Sequence, residues 1–322
     1  KDRYEKAKQS YLITSRDIKL QAISQYFILQ RADEGVRIGK ESIRASLVSL
    51  RDAKARFKAG VATRLEVLEA ETQLARDKQL LTSRLGDQKI SRRTLARLLN
   101  LPHKITPTSA SSAKVIGLWK ASLEESIVAA YSFREELNRL LLDISINNSN
   151  ANSALAASQP KLSLVNTLTA SKYKGQTGVS STSKVDMDDY GSSISNTIGL
   201  NATWSIFDGG RSKALYKYNK QLAKESEQNF AIERNKIRNE VEESFFNLET
   251  ANQDINTTTR EVIASRESLR LARLRFQAGV TTQREVVNNQ RDLTQAEVRY
   301  TNAITSYNIS LAELRRRTGI DH

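Results

Sequence analysis

Arg56-Phe57-Lys58-Ala59-Gly60-Val61 returns as Arg275-Phe276-Gln277-Ala278-Gly279-Val280, 219 residues further along the chain. The match spreads outward at the same offset. Ser49-Leu50-Arg51 returns as Ser268-Leu269-Arg270, and Ile18, Phe27 and Leu29 return as Ile237, Phe246 and Leu248. Downstream, Glu66-Val67 returns as Glu285-Val286, and Leu74 as Leu293. A repeat of this length means one structural unit built twice. Each copy reads as a long helical run, a single turn at glycine, and a long helical run back.

Apolar residues at Leu12, Ile13, Ile18, Ala22, Tyr26, Leu29, Val36, Ile43, Leu47 and Leu50 predict one helix over residues 1 to about 57. Gly60 has no Cβ and suits a left-handed cap that turns the chain. A second helix follows from about 63 to 100, ended by Leu101-Pro102, because the residue before proline disfavours the helical region. The second copy predicts helices over about 211 to 276 and from the Gly279 turn to about Arg317. In the last helix Val286, Leu293, Tyr300, Tyr307 and Leu314 stand seven apart, matching Val67, Leu74, Leu81, Gln88 and Leu95. That step drives left-handed coiled-coil packing.

Between the copies the period changes. Residues 102 to 120 read as a connector rich in Ser, Thr, Lys and Pro. Ser122-Leu123-Glu124-Glu125 has the form of a capping box and predicts a helix running to about 156. After Pro160 the alternation has period two. Leu162, Leu164, Leu168 and Ala170 share one face; Lys161, Ser163, Thr167 and Thr169 share the other. A polar stretch from Ser171 to Ser193 reads as a loop. The next strand puts Ile198, Leu200, Ala202, Trp204 and Ile206 on one face, with Thr197, Asn201, Thr203 and Ser205 opposite. Together they predict an antiparallel hairpin, closed by Asp208-Gly209-Gly210, which also caps the following helix.

Composition narrows the function. The chain has 322 residues, 13 Gly, 3 Pro and no Cys, which allows long uninterrupted helices and excludes disulfides and thiolate metal sites. Its two His, His103 and His322, sit in no metal-ligand spacing and no catalytic triad pattern. Gly209-Gly210 lacks the Lys-Ser/Thr of a phosphate loop. No residue set points to an enzyme, a cofactor or a metal. The net charge of +14 is spread along helix faces with no nucleic-acid-binding motif. No apolar run reaches the ~20 residues of a transmembrane helix, and Lys1-Asp2-Arg3 opens no signal-peptide pattern. The amphipathic hairpin therefore has two readings: a sheet covering a soluble core, or part of an outer-membrane barrel with an apolar face on lipid. A lone hairpin is not stable and needs further strands. Trp204 suits a membrane-interface belt.

Trp204-Ser205-Ile206-Phe207-Asp208-Gly209-Gly210-Arg211 resembles the strand-to-helix signature of the TolC family of outer-membrane ducts. The two glycine turns resemble that family too, as does the stretch from Ser122-Leu123-Glu124-Glu125 through Arg134-Glu135-Glu136-Leu137 to Pro160. The family usually has Pro where Glu135 stands. The resemblance implies a mainly α fold with a β-hairpin, in which duplicated antiparallel coiled-coil helices form a trimeric α-barrel joined to an outer-membrane β-barrel. It assigns residues 1–101 and 211–322 to helical hairpins of a tunnel, 102–158 to an equatorial connector and ascending helix, and 159–210 to the barrel hairpin. It places the protein in the outer membrane, extending into the periplasm. The function it implies is that of a passive, gated exit duct of a tripartite efflux pump or type I secretion system. The implied partners are two further copies of the chain, a periplasmic adaptor, an inner-membrane pump and outer-membrane lipid, with no nucleic acid. Residue 1 aligns near Lys220, past the second copy's hairpin. The first copy is expected to be a trimmed version of the family pattern, since a barrel without its strands falls below the usual minimum of about eight.

The resemblance also assigns sites. Adaptor docking falls on Ala59, Gly60 and Val61 and on Ala278, Gly279 and Val280, the residues that turn the chain. An acidic periplasmic gate falls on Glu66, Glu69, Glu285 and Asn288. None of the three Glu has a Lys or Arg three or four residues away, so no helical neighbour pairs with them. Lipid contact falls on Leu162, Leu164, Leu168, Leu200, Ala202, Trp204 and Ile206. The runner-up reading is a soluble basic coiled-coil scaffold or nucleic-acid binder, which leaves the hairpin and the duplicated turns unexplained.

Overall fold

A computed structural model describes residues 1–176 and 188–320. Its elements run α1 (Asp2–Lys58), α2 (Arg64–Leu98), α3 (Leu123–Phe133), α4 (Glu135–Ala156), β1 (Lys161–Gln176), β2 (Asp188–Thr203), α5 (Arg211–Gln277) and α6 (Gln283–Thr318). The four long helices end within a residue or two of the boundaries read from the sequence. α1 alone has 57 residues, a rise of about 85 Å.

The chain divides into two units. The first holds Arg3–Leu140 and Asn229–His322; the second holds Leu141–Gln228. In the first, the main core joins Ile127, Ala130 and Leu137 to Ile237, Val241 and Leu248 of α5 and to Tyr307, Leu311 and Leu314 of α6. Smaller clusters lie near the turns: Ala53, Val67 and Ala70 in one copy, Leu269, Ala272, Phe276, Val286 and Leu293 in the other. The heptad positions are buried at Val67, Leu74, Leu95, Val286, Leu293, Tyr307 and Leu314. Gln88, the polar member, is half-buried and donates to Asp33 Oδ1 at 2.7 Å. Ile18 and Leu47, read as parts of the apolar stripe of α1, are about half exposed.

The predicted single helix from Ser122 to 156 is two helices. Ser122 and Glu125 form the expected capping box, but Arg134 is extended (φ −76°, ψ 122°) and separates α3 from α4. No proline makes this break. The guanidinium is instead drawn into a buried carboxylate cluster: Nε and Nη2 donate to Glu136 at 3.1 and 2.9 Å, and Nη1 to Glu240 at 2.6 Å. Arg316 reaches the same Glu136 at 2.7 Å, Arg317 pairs with Glu240, and Arg16 pairs with Glu135. Burial pushes the Glu136 carboxyl up, but Arg134 and Arg316 outweigh it and hold it at about 2. The balance at Glu240 is of the same kind, with burial opposed by Arg134 and Arg317 and a net lowering.

In the second unit Ala151 and Ala154 of α4 and Ala223 of α5 are buried, and side-chain hydrogen bonds join the two helices. Asn147 donates to Ser226 Oγ at 3.1 Å and Lys220 to Asn148 at 2.9 Å. β1 and β2 pair antiparallel, with Leu162 opposite Ala202, Leu164 opposite Leu200 and Ala170 opposite Ile194. The strands have 16 residues each and extend to Gln176 and back from Asp188, into the stretch read as a polar loop. Serines and threonines fit there because the backbone ladder is satisfied and their hydroxyls pair across it, as in Ser171···Ser193 at 2.7 Å. The rest of that predicted loop, 177–187, lies outside the described residues. Trp204 and Ile206, read as strand residues, follow the end of β2 at Thr203. The chain leaves the ladder there, and the Trp204 indole donates to the Ser158 carbonyl at 3.2 Å. Asp208 then accepts from the Gly210 and Ser212 backbone N–H groups at 3.0 and 2.9 Å, serving the open donors at the start of α5.

Candidate functional site

The two turns have the same geometry. Gly60 and Gly279 are left-handed, with φ of +75° and +76°. The N–H of Gly60 donates to Phe57 O and that of Val61 to Arg56 O; Gly279 and Val280 donate to Phe276 O and Arg275 O, all at 3.0 Å. This double bond pattern is the Schellman motif, which satisfies carbonyls left open at a helix end. Val61 and Val280, one residue past each glycine, are exposed. The far ends of the hairpins also correspond: Asn100 and Gly319, again 219 apart, both have positive φ.

Past the turns the copies differ. Thr63 and Glu66 close a capping box at the start of α2, with Thr63 Oγ1 accepting from Glu66 N at 3.4 Å and Glu66 Oε1 accepting from Thr63 N at 3.2 Å. At α6 the equivalent Thr282 makes no side-chain cap. Glu285 instead accepts from Arg275 Nη1 at 3.1 Å and from the Thr281 hydroxyl. Thr63→Ala is therefore expected to lower the protection of the first-turn amides of α2 in hydrogen exchange. The local cost is about 0.5–2 kcal/mol, the usual loss for an N-cap threonine.

The two copies touch at these ends. Arg56 Nη1 donates to Phe276 O at 2.9 Å, and its guanidinium lies 4.4 Å from the centroid of the Phe276 ring. Arg284 donates to Glu69 Oε1 through Nε and Nη2, at 3.0 and 2.6 Å. Glu69, Arg284, Leu68, Val287 and Asn288 line one groove of about 360 Å³. The structure thus brings Glu69 and Asn288 together, while Glu66 and Glu285 each stay at their own turn. The lack of a cation on the same helix does not leave Glu69 and Glu285 unpaired. Glu69 finds Arg284 from the other copy, and Glu285 finds Arg275 from across its own turn. Arg56 and Arg275 were visible as duplicated residues but carried no assigned partner. Arg284 had no signal, because its repeat counterpart is Leu65. Since Arg284 is largely exposed, its pair with Glu69 contributes roughly 0.2–1 kcal/mol.

The hairpin is a second candidate surface. Leu162, Leu164, Leu168, Ile194, Ile198 and Leu200 share one face and are each about 70–80% exposed. The opposite face carries Ser163, Thr167, Thr169, Ser171, Ser195, Thr197 and Asn201, with Val165 and Tyr173 among them.

The family model for outer membrane efflux proteins matches residues 1–101 and 129–320. No curated protein matches the sequence as a relative. Solved structures do. A membrane protein from Pseudomonas aeruginosa superposes with a TM-score of 0.79 at 18% identity, over 99% of this chain and 72% of that one. The outer membrane protein VceC from Vibrio cholerae gives 0.75 at 15% identity, over 98% and 72%. The CmeC outer membrane channel of Campylobacter jejuni gives 0.72 at 18% identity, over 99% and 67%. At these identities the likeness establishes the fold, and it does not favour a soluble coiled-coil scaffold.

Proposed function

Because the chain belongs to the outer membrane efflux protein family, we propose that three copies of it form one continuous exit duct. The protein is an outer-membrane efflux duct, of a family whose members form trimeric channels in tripartite pumps. In the proposed assembly the hairpin 159–210 joins a barrel in the membrane. The helical hairpins 1–101 and 211–322 line a periplasmic tunnel, and 102–158 forms the connector around it. Conduction is passive, without chemical turnover; energy comes from an inner-membrane pump reached through a periplasmic adaptor. The adaptor docks at Ala59-Gly60-Val61 and Ala278-Gly279-Val280, where each turn bares a valine. The observation that carries the reading is the hairpin's apolar face. Its long row of exposed leucines and isoleucines backed by hydroxyls suits lipid on one side and water on the other. Electron microscopy of the detergent-purified protein tests it: a threefold tube with a membrane collar is expected, and a compact monomer released by high salt overturns it.

Glu66, Glu69, Glu285 and Asn288 are proposed to ring the periplasmic constriction. Rings of carboxylates attract cations and repel anions. Glu66→Lys combined with Glu285→Lys is expected to shift reconstituted channels from cation toward anion preference, read as the reversal potential in a salt gradient. An unchanged reversal potential removes these two residues from the gate.

A further inference from the structure

The duplicated Arg-Phe pair is used in one direction only. Arg56 of the first copy lies over the ring of Phe276 in the second and donates to its carbonyl. Phe276 is 6% exposed as a result of its packing. The reciprocal contact, Arg275 to Phe57, is absent. Phe57 is 41% exposed, and Arg275, 58% exposed, turns back to Glu285. The chain thus holds a spare donor in one copy and a spare acceptor in the other, both duplicates of groups that fit each other. In a ring of copies a donor on one repeat and an acceptor on the other pair head to tail, and such contacts close when the rotation allows.

A second pair of positions carries the same asymmetry at a different height on the helices. Phe27 of α1 is 4% exposed and borders a cavity that Ala312 and Arg315 of α6 also line. Its counterpart Phe246 on α5 is 53% exposed. The element equivalent to α6 is α2, so what α6 offers α1 within one chain, α2 of a second chain offers α5.

We infer that a second copy of this chain docks on the α5 face of the first through Arg275 onto its Phe57, reproducing between chains the Arg56–Phe276 contact made within each. The inference rests on the reading of the chain as a subunit of a ring. Arg275 exchanges the Glu285 carboxylate for the Phe57 ring and carbonyl of the partner chain. Glu285 is then released to its own Thr282, as Glu66 serves Thr63. The contact is a cation over an aromatic face backed by a charge-assisted hydrogen bond.

The absence of cysteine allows a direct test in the full chain. Lys58→Cys with Leu274→Cys places thiols beside Phe57 and Arg275 while leaving both intact. Ala55→Cys with Gln277→Cys places them at the repeat-equivalent positions beside Arg56 and Phe276. Each protein, in detergent, is treated with one short bis-maleimide and separated by denaturing electrophoresis. The 55/277 pair is expected to link within single chains. The 58/274 pair is expected to give covalent oligomers ending at the ring, and Arg275→Ala in that background is expected to deplete them. A trimer by light scattering that yields no 58/274 oligomer overturns this interface and leaves the ring standing. Equal cross-linking through Lys58→Cys alone also overturns it, since that requires a symmetric contact. A monomer by light scattering overturns both.

Discussion

Arg134→Ala is expected to destabilise the helical unit by about 3–5 kcal/mol, the usual consequence of removing one partner from a buried ion pair. Arg134 is 4% exposed and divides its donors between Glu136 and Glu240, which are themselves largely enclosed. Alanine leaves Glu136 with Arg316 and Glu240 with Arg317, each short of the bidentate or central cation it was built around. It also removes the interaction that holds residue 134 extended, so the α3–α4 break loses its cause. Lysine does not restore it, because an ammonium cannot serve both carboxylates in the fork geometry. The measurement is thermal unfolding followed by far-ultraviolet circular dichroism, with a shift near zero counting against this account.

The same cluster sets a pH dependence. The Glu136 carboxyl is held at about 2 in the folded chain, below its ordinary value of 4.5. A depressed folded value stabilises fully above pH 4.5, and the contribution is lost as pH falls from there toward 2. By linkage it amounts to about 3 kcal/mol. Arg134→Ala is expected to flatten this acid limb, since only Arg316 then remains beside Glu136.

Gly60→Pro and Gly279→Pro are expected to abolish export while the protein still reaches the membrane as a trimer. Proline fixes φ near −65°, whereas these positions stand at +75° and +76°. It also removes the N–H that donates to Phe57 O or Phe276 O. The two losses together open the turn and displace the valine beside it. Alanine is the informative contrast. A Cβ at either glycine meets nothing within 4 Å, and the N–H is kept. The cost is then confined to the left-handed conformation, roughly 1–2 kcal/mol, and export should persist. Dye efflux from cells carrying each variant, with membrane abundance as control, separates these outcomes. Normal export by both proline variants removes the docking role of the turns.

Several elements are legible in the sequence. The duplication, the glycine turns, the capping box at Ser122, and the two faces of the hairpin all follow from short-range rules. The Arg134 break was not legible, because its usual marker, a proline, is replaced by Glu135 and the cause lies in carboxylates from distant helices. The reach of the strands past Ser171 and Ser193 is not legible, because a polar composition reads as a loop. On a two-faced sheet, hydroxyls are acceptable strand residues.

The gate acids show the limit most sharply. Their sequence neighbours left them without a cation, yet Glu69 is 215 positions away from the Arg284 that binds it. What the sequence determined was everything governed by local periodicity and by φ at single residues: helices, turns, strand faces and the twofold plan. What only the tertiary structure decided was which copy's arginine meets which copy's phenylalanine or glutamate. The two repeats share their turns but differ at Leu65 and Arg284 and at Glu69 and Asn288, and the contacts between them join residues that are not equivalent. No pattern within either repeat encodes these pairings, because they arise from the register between helices that are far apart in sequence.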